Sequence, residues 1–210
     1  LHTLLCGGAP LPDPLLDAWL DRGFNFRQGF GMTEVGPNCF SLPAWMVRRK
    51  RGSCGMPVLH GDARVVRGDG TVAPPGEVGA LQLGGPIVCA GYLDNPEATA
   101  ASMTADGWFD TGDLARTDAD GFFYIAGRKK EMFISGGENV YPAEVENAIL
   151  GFDPIAEVAV VGVPDPRWGE VGLAVVVPDP AIGVAGLEVE AVREHCRTHL
   201  AKFKVPKRFE

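Results

Sequence analysis

The amino-acid sequence predicts an α/β layer with a small β unit, followed by a second, small α+β unit. Three observations predict this fold class. The chain of 210 residues begins with a strand–helix–strand pattern. Short apolar runs separated by Gly- and Pro-rich turns come next, and two apolar strands with amphipathic helices come last. The boundary is predicted near GRKK, so that the two domains are residues 1–127 and 128–210.

The first elements form the predicted α/β layer. LHTLLC predicts a buried strand that ends in a Gly-Gly turn. Apolar residues at Leu15, Leu16, Trp19 and Leu20 have helical spacing, and Gly23 favours the end of that helix. FNFRQGFG then predicts a second short strand.

The middle of the chain predicts a small antiparallel β unit. Two β runs, at 63–67 and 78–83, are connected through the turn sequences GDG and PPGE. Asn95 and Pro96 predict the cap and the first residue of a short helix. FDTGDLARTDADGFFYIAGR predicts a hairpin that turns at DADG.

The last third of the chain predicts the α+β unit. A helix is expected from Tyr141, with Val145, Ile149 and Leu150 on one face. IAEVAVVGVPD and GLAVVVPD predict two strands. GLEVEAVREHCRTHLAKF predicts an amphipathic helix, whose inward-facing residues are expected to be Leu187, Val189, Val192, Cys196 and Leu200.

Composition excludes several classes of protein. Hydrophobic residues make up 46% of the chain, enough for a folded core, and a net charge of −8 argues against nucleic-acid binding. Five cysteines without a CxxC pair predict neither a disulfide framework nor a zinc site, and reduced thiols indicate a cytoplasmic protein. No apolar run reaches 18 residues, so no transmembrane segment is predicted. No oligomeric state is predicted.

One motif, QGFGMTE, could contact the base and a phosphate of a nucleotide and also the metal ion that accompanies it. Gly29 and Gly31 would let a ligand approach the backbone closely, and Phe30 offers a flat face for stacking on a base. Thr33 offers a hydroxyl group to a phosphate, and Glu34 offers a hard oxygen to Mg²⁺. The alternative is a Gly-rich turn with a capping Thr-Glu pair.

Four further motifs each allow a functional and a structural interpretation. In TGD, Asp113 could accept hydrogen bonds from the two hydroxyl groups of a ribose, or could belong to a turn or cap. Arg128 could bind hydroxyl or phosphate oxygens, or could lie on the surface. SGGEN could admit a thin ligand along its backbone, or could be a turn leading into a helix. GGAP could be an ordinary βα turn.

The order of these motifs carries more information than any one of them. GGAP, QGFGMTE, GWFDTGDL, GRKKE and SGGENVYPAEVE together resemble the adenylate-forming acyl-CoA synthetases, a superfamily that also includes luciferases and peptide-synthetase adenylation domains. The resemblance extends over residues 1–210. It implies the end of a large N-terminal adenylation domain followed by a small, mobile C-terminal domain. It also implies two half-reactions, in which ATP activates a carboxylic acid to an acyl-adenylate and coenzyme A then forms the thioester.

The resemblance implies roles for individual residues. Thr33 would bind the α-phosphate of ATP or AMP, and Glu34 would bind Mg²⁺. Asp113 would accept the ribose hydroxyl groups with Arg128 beside it, and Lys130 would be the pivot of the small domain. The remaining implied nucleotide-binding residues are Gly8, Ala9 and Pro10 along the adenine, Gln28, Gly29 and Phe30 holding and stacking it, and Gly31, Met32 and Ile125.

The resemblance also implies a site for the second substrate and a preference for the first. Gly136, Gly137 and Glu138 would form the loop that faces the pantetheine of coenzyme A. GMTEVGP resembles both fatty-acyl and 4-coumarate-type ligases. Ile134 stands where coumarate-type enzymes usually carry a lysine. A medium or long acyl chain is therefore the first expectation, and an aryl acid is the second.

Two parts of the family pattern are absent from these 210 residues. Family members carry a Ser/Thr/Gly-rich phosphate loop with a lysine upstream of GGAP, and another lysine shortly beyond KVPKRFE. Losing positive charge where charge develops in a transition state costs several kcal/mol. In other enzymes, the loss of even one hydrogen-bond donor at such a place costs about 2.7–4 kcal/mol. The sequence is therefore interpreted as a C-terminal portion that is inactive in adenylation by itself. A truncated, non-catalytic AMP-binding module is the alternative.

Overall fold

The computed structural model describes residues 3–8, 11–183 and 186–210. The chain divides into two compact units, Leu1–Ala126 and Gly127–Glu210, here called unit 1 and unit 2. Each unit has its own sheets and its own buried apolar cluster. No helix in the described ranges is long and apolar enough to cross a membrane.

The first sheet of unit 1 contains four strands in the order β1-β2-β3-β4. β1 pairs parallel to β2, and β2, β3 and β4 pair antiparallel. The strand–helix–strand start is confirmed, whereas β3 and β4 were not predicted. The elements are β1 (Thr3–Cys6), α1 (Asp13–Asp21), β2 (Asn25–Met32), β3 (Gly36–Ser41) and β4 (Met56–Pro57).

Burial in these first elements differs from the prediction in two places. β1 is not a buried strand: it is an edge strand with β2 as its neighbour, and Leu5 is exposed. On α1, Leu16 is buried but Leu15 is exposed. Adjacent residues of a helix point about 100° apart, so only one of the two leucines can face the core.

The second sheet of unit 1 contains four strands in the order β5-β6-β7-β8. The predicted β runs, the capped helix and the hairpin are all confirmed. The side chain of Asn95 accepts a hydrogen bond from the Ala98 N–H at 3.0 Å, as expected for a helix cap. The elements are β5 (Asp62–Val66), β6 (Gly79–Gly84), α2 (Pro96–Ser102), β7 (Phe109–Thr117) and β8 (Phe123–Arg128).

Asp118 organises the turn of the β7–β8 hairpin. Its carboxylate accepts hydrogen bonds from the backbone N–H groups of Asp120 and Phe122, both at 3.0 Å, and from the Lys50 ammonium at 2.7 Å. Burial by itself would raise the pKa of Asp118, but these donors hold it below its usual value. Lys50 thereby attaches the hairpin turn to the segment that precedes β4.

One apolar cluster joins the two sheets of unit 1. It includes Phe40 of β3, Leu81 of β6 and Phe123 of β8. The Phe40 and Phe123 rings lie 4.9 Å apart between centroids. The backbone N–H of Phe123 also donates to the Gly55 carbonyl at 2.9 Å. The two sheets therefore share one core.

Unit 2 is the predicted α+β arrangement of strands and helices. Its main sheet has the order β10-β9-β12-β11, and β13 pairs parallel to β12. The two long strands and both helices are confirmed, whereas β9, β10 and β13 were not predicted. The elements are β9 (Phe133–Ser135), β10 (Glu138–Val140), α3 (Pro142–Leu150), β11 (Ile155–Asp165), β12 (Gly169–Pro178), α4 (Val189–His199) and β13 (Arg208–Phe209).

The core of unit 2 corrects the predicted inward face of α4. Val192 and Cys196 are fully buried, but Val189 is 43% exposed. Val189 is the first residue of the helix and lies at its exposed end. Leu187 and Leu200 lie just outside the helix and pack against the core only in part.

Two substitutions on α4 test this description. Val192→Ala is expected to lower the free energy of unfolding of unit 2 by roughly 2 kcal/mol, because it removes two buried methyl groups and leaves a cavity. Val189→Ala makes the same chemical change at the exposed position and should change it by less than about 0.5 kcal/mol. Native-state hydrogen exchange of the β11 and β12 amides measures both. Equal effects would contradict the assigned face.

Candidate functional site

The turn between β2 and β3 presents two oxygen-bearing side chains. The Val35 N–H donates to the Met32 carbonyl at 3.1 Å, which closes the turn. Val35 is 4% exposed and anchors the turn in the core of unit 1. Thr33 is exposed and Glu34 is half-buried. A hydroxyl group and a carboxylate therefore stand side by side on a fixed turn.

Glu34 is held at both its backbone and its side chain. Its carbonyl accepts a hydrogen bond from the Cys89 N–H at 2.7 Å, and its Oε1 accepts one from the Tyr92 hydroxyl at 2.8 Å. This hydrogen bond to a carboxylate raises the pKa of Tyr92. Sequence reasoning missed Tyr92. The available signal was an aromatic residue with a polar end in the loop sequence CAGYL.

The glycines of QGFG have a packing role within the sheet. A Cβ on Gly31 would lie 2.4 Å from the Pro37 carbonyl carbon, and a Cβ on Gly29 would lie 2.2 Å from the Asn38 side chain. The strand β3 therefore approaches β2 so closely that a side chain at Gly31 would collide with backbone atoms, whereas at Gly29 the nearest atom belongs to the movable side chain of Asn38. Their predicted contact with a nucleotide stays a prediction.

Phe30 lies between these glycines and is only partly available to a ligand. Its ring is half-buried and meets the Phe40 ring edge-on, with centroids 5.8 Å apart. Ile125 of β8 is also half-buried against the same core cluster. Phe30 and Ile125, which sequence analysis grouped as nucleotide-binding residues, therefore pack against one cluster.

TGD forms a bulge inside β7 and is not a turn or a helix cap. Ala80 pairs with Leu114 and Gln82 pairs with Asp110, so one residue of β6 faces three residues of β7. The Thr111 hydroxyl donates to the Leu81 carbonyl at 2.9 Å and accepts from the Asp113 N–H at 3.0 Å. The bulge fixes Asp113 in a buried position, 3% exposed.

Cys39 of β3 contacts Phe30, and the charge of Asp113 acts on its thiol. The Cys39 thiol donates to the Phe30 carbonyl at 3.3 Å. Burial raises the pKa of Cys39 to about 11, and the negative charge of Asp113 adds to the effect. The charge of Asp113 therefore acts on a residue that contacts the QGFG strand, although Asp113 and Phe30 are 83 positions apart in the sequence (113 − 30).

The remaining predicted residues of unit 1 that the structure describes lie on β2 or in the turn that follows its neighbour β1. Gln28 is buried and pairs with Cys6 of β1. A Cβ on Gly7 would lie 3.7 Å from the Gly29 carbonyl, so the Gly-Gly turn lies beside QGFG. Gly8 is exposed, and Met32 is half-buried at the end of β2. Ala9 and Pro10 lie outside the described residues.

Arg128 is the exposed last residue of β8, and Lys130 lies on the exposed turn that follows it. The Arg128 carbonyl accepts hydrogen bonds from the N–H groups of Glu131 at 3.1 Å and Met132 at 3.2 Å. The Lys130 side chain is exposed within the segment that these hydrogen bonds close.

SGGEN forms the β9–β10 hairpin and is not a turn leading into a helix. Gly136 and Gly137 have φ angles of 63° and 90°, which a two-residue hairpin loop requires. The Gly136 N–H donates to the Trp168 carbonyl at 2.9 Å, and a Cβ on Gly136 would lie 2.8 Å from the Trp168 ring. Glu138 is exposed at the start of β10. Trp168, which sequence reasoning missed, covers one side of this loop.

Glu34 offers oxygen ligands but does not form a metal site alone. Within the described ranges no group of three or more His, Cys, Asp and Glu side chains could hold a metal ion. Mg²⁺ commonly takes one or two carboxylates from a protein and completes its coordination with water and substrate phosphates. The half-buried carboxylate of Glu34, next to the hydroxyl of Thr33, fits that partial role.

Two protein-family models match the chain. The model of AMP-binding enzymes matches residues 1–93, and the model of the AMP-binding enzyme C-terminal domain matches residues 144–210. Feruloyl-CoA synthase from Amycolatopsis sp. is 50% identical over 210 residues, which is 100% of this chain and 42% of that relative.

Solved structures give the same result at the level of the fold. o-Succinylbenzoate CoA synthetase from Bacillus subtilis, in complex with the acyl-adenylate intermediate OSB-AMP, matches with a TM-score of 0.91 and 36% identity, over 100% of this chain and 42% of that one. The same synthetase in complex with ATP and magnesium ion matches with a TM-score of 0.89 and 36% identity, over 99% and 42%. The chain thus spans about 42% of the length of these relatives.

The packing role of Gly31 is testable without any ligand. Gly31→Ala should destabilise unit 1 by about 1–3 kcal/mol, because the new Cβ collides with backbone atoms that cannot move aside. Gly68→Ala is the matched control, since a Cβ there meets nothing within 4 Å. Thermal unfolding should give a lower Tm for the first variant and a nearly unchanged Tm for the second. An unchanged Tm in Gly31→Ala would contradict the close approach of β3.

Proposed function

The chain belongs to the AMP-binding enzymes, and we propose from this membership that it is the C-terminal portion of an adenylate-forming CoA ligase. In the first half-reaction, a carboxylate oxygen of the acid bonds to the α-phosphorus of ATP and pyrophosphate leaves. In the second, the sulfur of coenzyme A bonds to the acyl carbon, AMP leaves, and the thiol proton is released. The whole reaction is the ATP-dependent synthesis of an acyl-CoA.

The observation that carries the proposal is the assembly of groups around β2 in unit 1. A buried carboxylate, Asp113, lies near the strand that carries Phe30, and that strand ends in the turn with Thr33 and Glu34. An aromatic face, a fixed carboxylate and a hydroxyl–carboxylate turn match the base, ribose and phosphates of one nucleotide. The relationship to feruloyl-CoA synthase, at 50% identity, supports this interpretation.

Each of these residues has a proposed role. Asp113 accepts hydrogen bonds from the ribose hydroxyl groups, and its bulge fixes it for this purpose. Thr33 donates to the α-phosphate. Glu34 is proposed to hold Mg²⁺, which would neutralise phosphate charge when bound. Phe30 stacks on the adenine, which Gln28 and Gly29 help to hold and Gly8 lines. The other proposed nucleotide-binding residues are Gly31, Met32 and Ile125.

The two compact units support a proposed division of labour. Unit 1 is the end of the large adenylation domain, and unit 2 is the small C-terminal domain. Lys130 is proposed as the pivot of unit 2, with Arg128 beside the ribose. The hairpin loop of Gly136, Gly137 and Glu138 is proposed to face the pantetheine of coenzyme A. One site can then serve two reactions in turn.

The acid is proposed to carry an aromatic ring. The relatives feruloyl-CoA synthase and o-succinylbenzoate CoA synthetase are named for acids that contain one. These names support the aryl acid, which is the second of the two expectations from the sequence. A fatty acid, the first expectation, is retained as the comparison in the test. A cytoplasmic location stays a prediction.

Acid-dependent exchange of pyrophosphate into ATP tests the function. The 210-residue chain is compared with a form extended at both ends by the corresponding segments of the feruloyl-CoA synthase relative. The extended form should catalyse exchange with hydroxycinnamic or benzoic acids and weakly with fatty acids. The short chain should be inactive, since the phosphate loop and the second lysine implied by the family lie outside it.

Each other outcome has a definite meaning. Exchange by the short chain would contradict the argument from the two lysine-bearing segments. Exchange driven mainly by fatty acids would contradict the aryl assignment. Silence of the extended form, together with an AMP-dependent rise in the Tm of the short chain, would indicate a non-catalytic AMP-binding module.

The pivot is tested by restricting the backbone at Lys130. Lys130→Pro fixes φ near −65° and also restricts Lys129, so it should oppose rotation about this segment. In the extended form we expect the rate of acyl-adenylate formation to be nearly retained. The rate of thioester formation should fall at least about 10-fold, because it follows the rotation that proline opposes. Lys130→Ala, which leaves the backbone free, is the control. Equal loss of both half-reactions would contradict the pivot.

A further inference from the structure

We propose that Tyr92 is a positioning residue, which holds the carboxylate of Glu34 so that one oxygen is available to a divalent cation. The inference rests on the proposed function, which gives Glu34 its role as a ligand of Mg²⁺. It adds a residue from outside the motifs that define the nucleotide site.

Two hydrogen bonds fix Glu34, one at its backbone carbonyl and one at its carboxylate. The Cys89 N–H donates to the Glu34 carbonyl at 2.7 Å, and the Tyr92 hydroxyl donates to Oε1 at 2.8 Å. Both donors come from one loop, 58 positions away from Glu34 in the case of Tyr92. Among the described residues, Oε2 has no protein donor. One carboxylate oxygen is thus bound by the protein, and the other remains for a cation.

Tyr92 is itself held by the first turn of α2. Its backbone N–H donates to Oγ1 of Thr99 at 2.9 Å, and that hydroxyl donates to the Asn95 carbonyl at 3.0 Å. Asn95 also caps α2 through the Ala98 N–H. The phenol therefore projects from a hydrogen-bonded helix start and not from a free loop.

This arrangement has a consequence for cation binding. A free Glu side chain loses rotamer entropy when it is fixed. The hydrogen bond from Tyr92 fixes the carboxylate before the cation arrives, so binding does not have to order it. Removing a group that hydrogen-bonds a metal-ligating carboxylate typically lowers the affinity for the metal by roughly 10–100-fold.

Tyr92→Phe removes the hydroxyl group and keeps the ring. The affinity for Mn²⁺ in the presence of ATP is measured by electron paramagnetic resonance, on the 210-residue chain and on its extended form. The Kd of Mn²⁺ should rise about 10-fold in the variant. Tyr141→Phe is the matched control, because Tyr141 lies in unit 2 and makes no side-chain capping bond at α3. The Kd of Mn²⁺ should be unchanged in this variant.

Thr99 provides a second, independent pair of variants. Thr99→Val removes the acceptor of the Tyr92 N–H and should raise the Kd of Mn²⁺, whereas Thr99→Ser keeps the hydroxyl group and should restore it. In the exchange assay of the extended form, Tyr92→Phe should raise the Mg²⁺ concentration needed for half-maximal rate. The rate at saturating Mg²⁺ should be largely retained, as positioning of a ligand requires.

The outcomes separate this inference from the proposed function. An unchanged Kd in Tyr92→Phe, with normal Mn²⁺ and ATP binding by the wild type, would overturn the role of Tyr92 alone. A lower Kd would overturn it as well, because Tyr92 would then compete with the cation for Glu34. Absence of nucleotide-dependent Mn²⁺ binding in the wild-type chain and in its extended form would overturn the proposed function together with this inference.

Discussion

Burial of Phe40 between Phe30 and Phe123 is the contact on which unit 1 depends. Phe40 is fully buried and belongs to β3, which pairs with the strand that carries Phe30. Its ring also meets Phe123 of the second sheet. Removing three aromatic side chains from water contributes several kcal/mol at about 25 cal/mol per Å² of apolar area. The two sheets, and with them the QGFG strand and the TGD bulge, keep their relative positions through this core.

The polar groups of the candidate site occur where this sheet structure is interrupted. Thr33 and Glu34 stand on the turn between β2 and β3, and Asp113 stands in the bulge of β7. Regular strands satisfy their backbone groups with each other and alternate their side chains, so they cannot aim several polar groups at one place. A turn and a bulge can do so while the neighbouring ladder stays intact.

The sequence predicted most helices and strands that carry their own local signals. Periodicity, Pro and Asn gave α1, α2 and α4, and apolar runs gave β11 and β12. It did not predict β3, because GPNCFS contains Gly, Pro and Asn, which have low β propensity, and pairing with β2 and β4 overrides that preference. It found Glu34 but not Tyr92, because a contact across 58 residues has no local spacing that could reveal it.

The loops of unit 2 obtain their order from unit 2 itself. The Gly136 N–H is bound by the Trp168 carbonyl, and the segment around Lys130 is closed by two bonds to the Arg128 carbonyl. A rotation about Lys130, as the proposed mechanism requires, would leave the Gly136 hydrogen bond intact, but it would open the turn at the Arg128 carbonyl, because Lys130 lies inside that turn. The cost of such a rotation would include these two hydrogen bonds and a change in a few backbone dihedral angles at the pivot. Two chemistries can then share one nucleotide site without either unit having to refold.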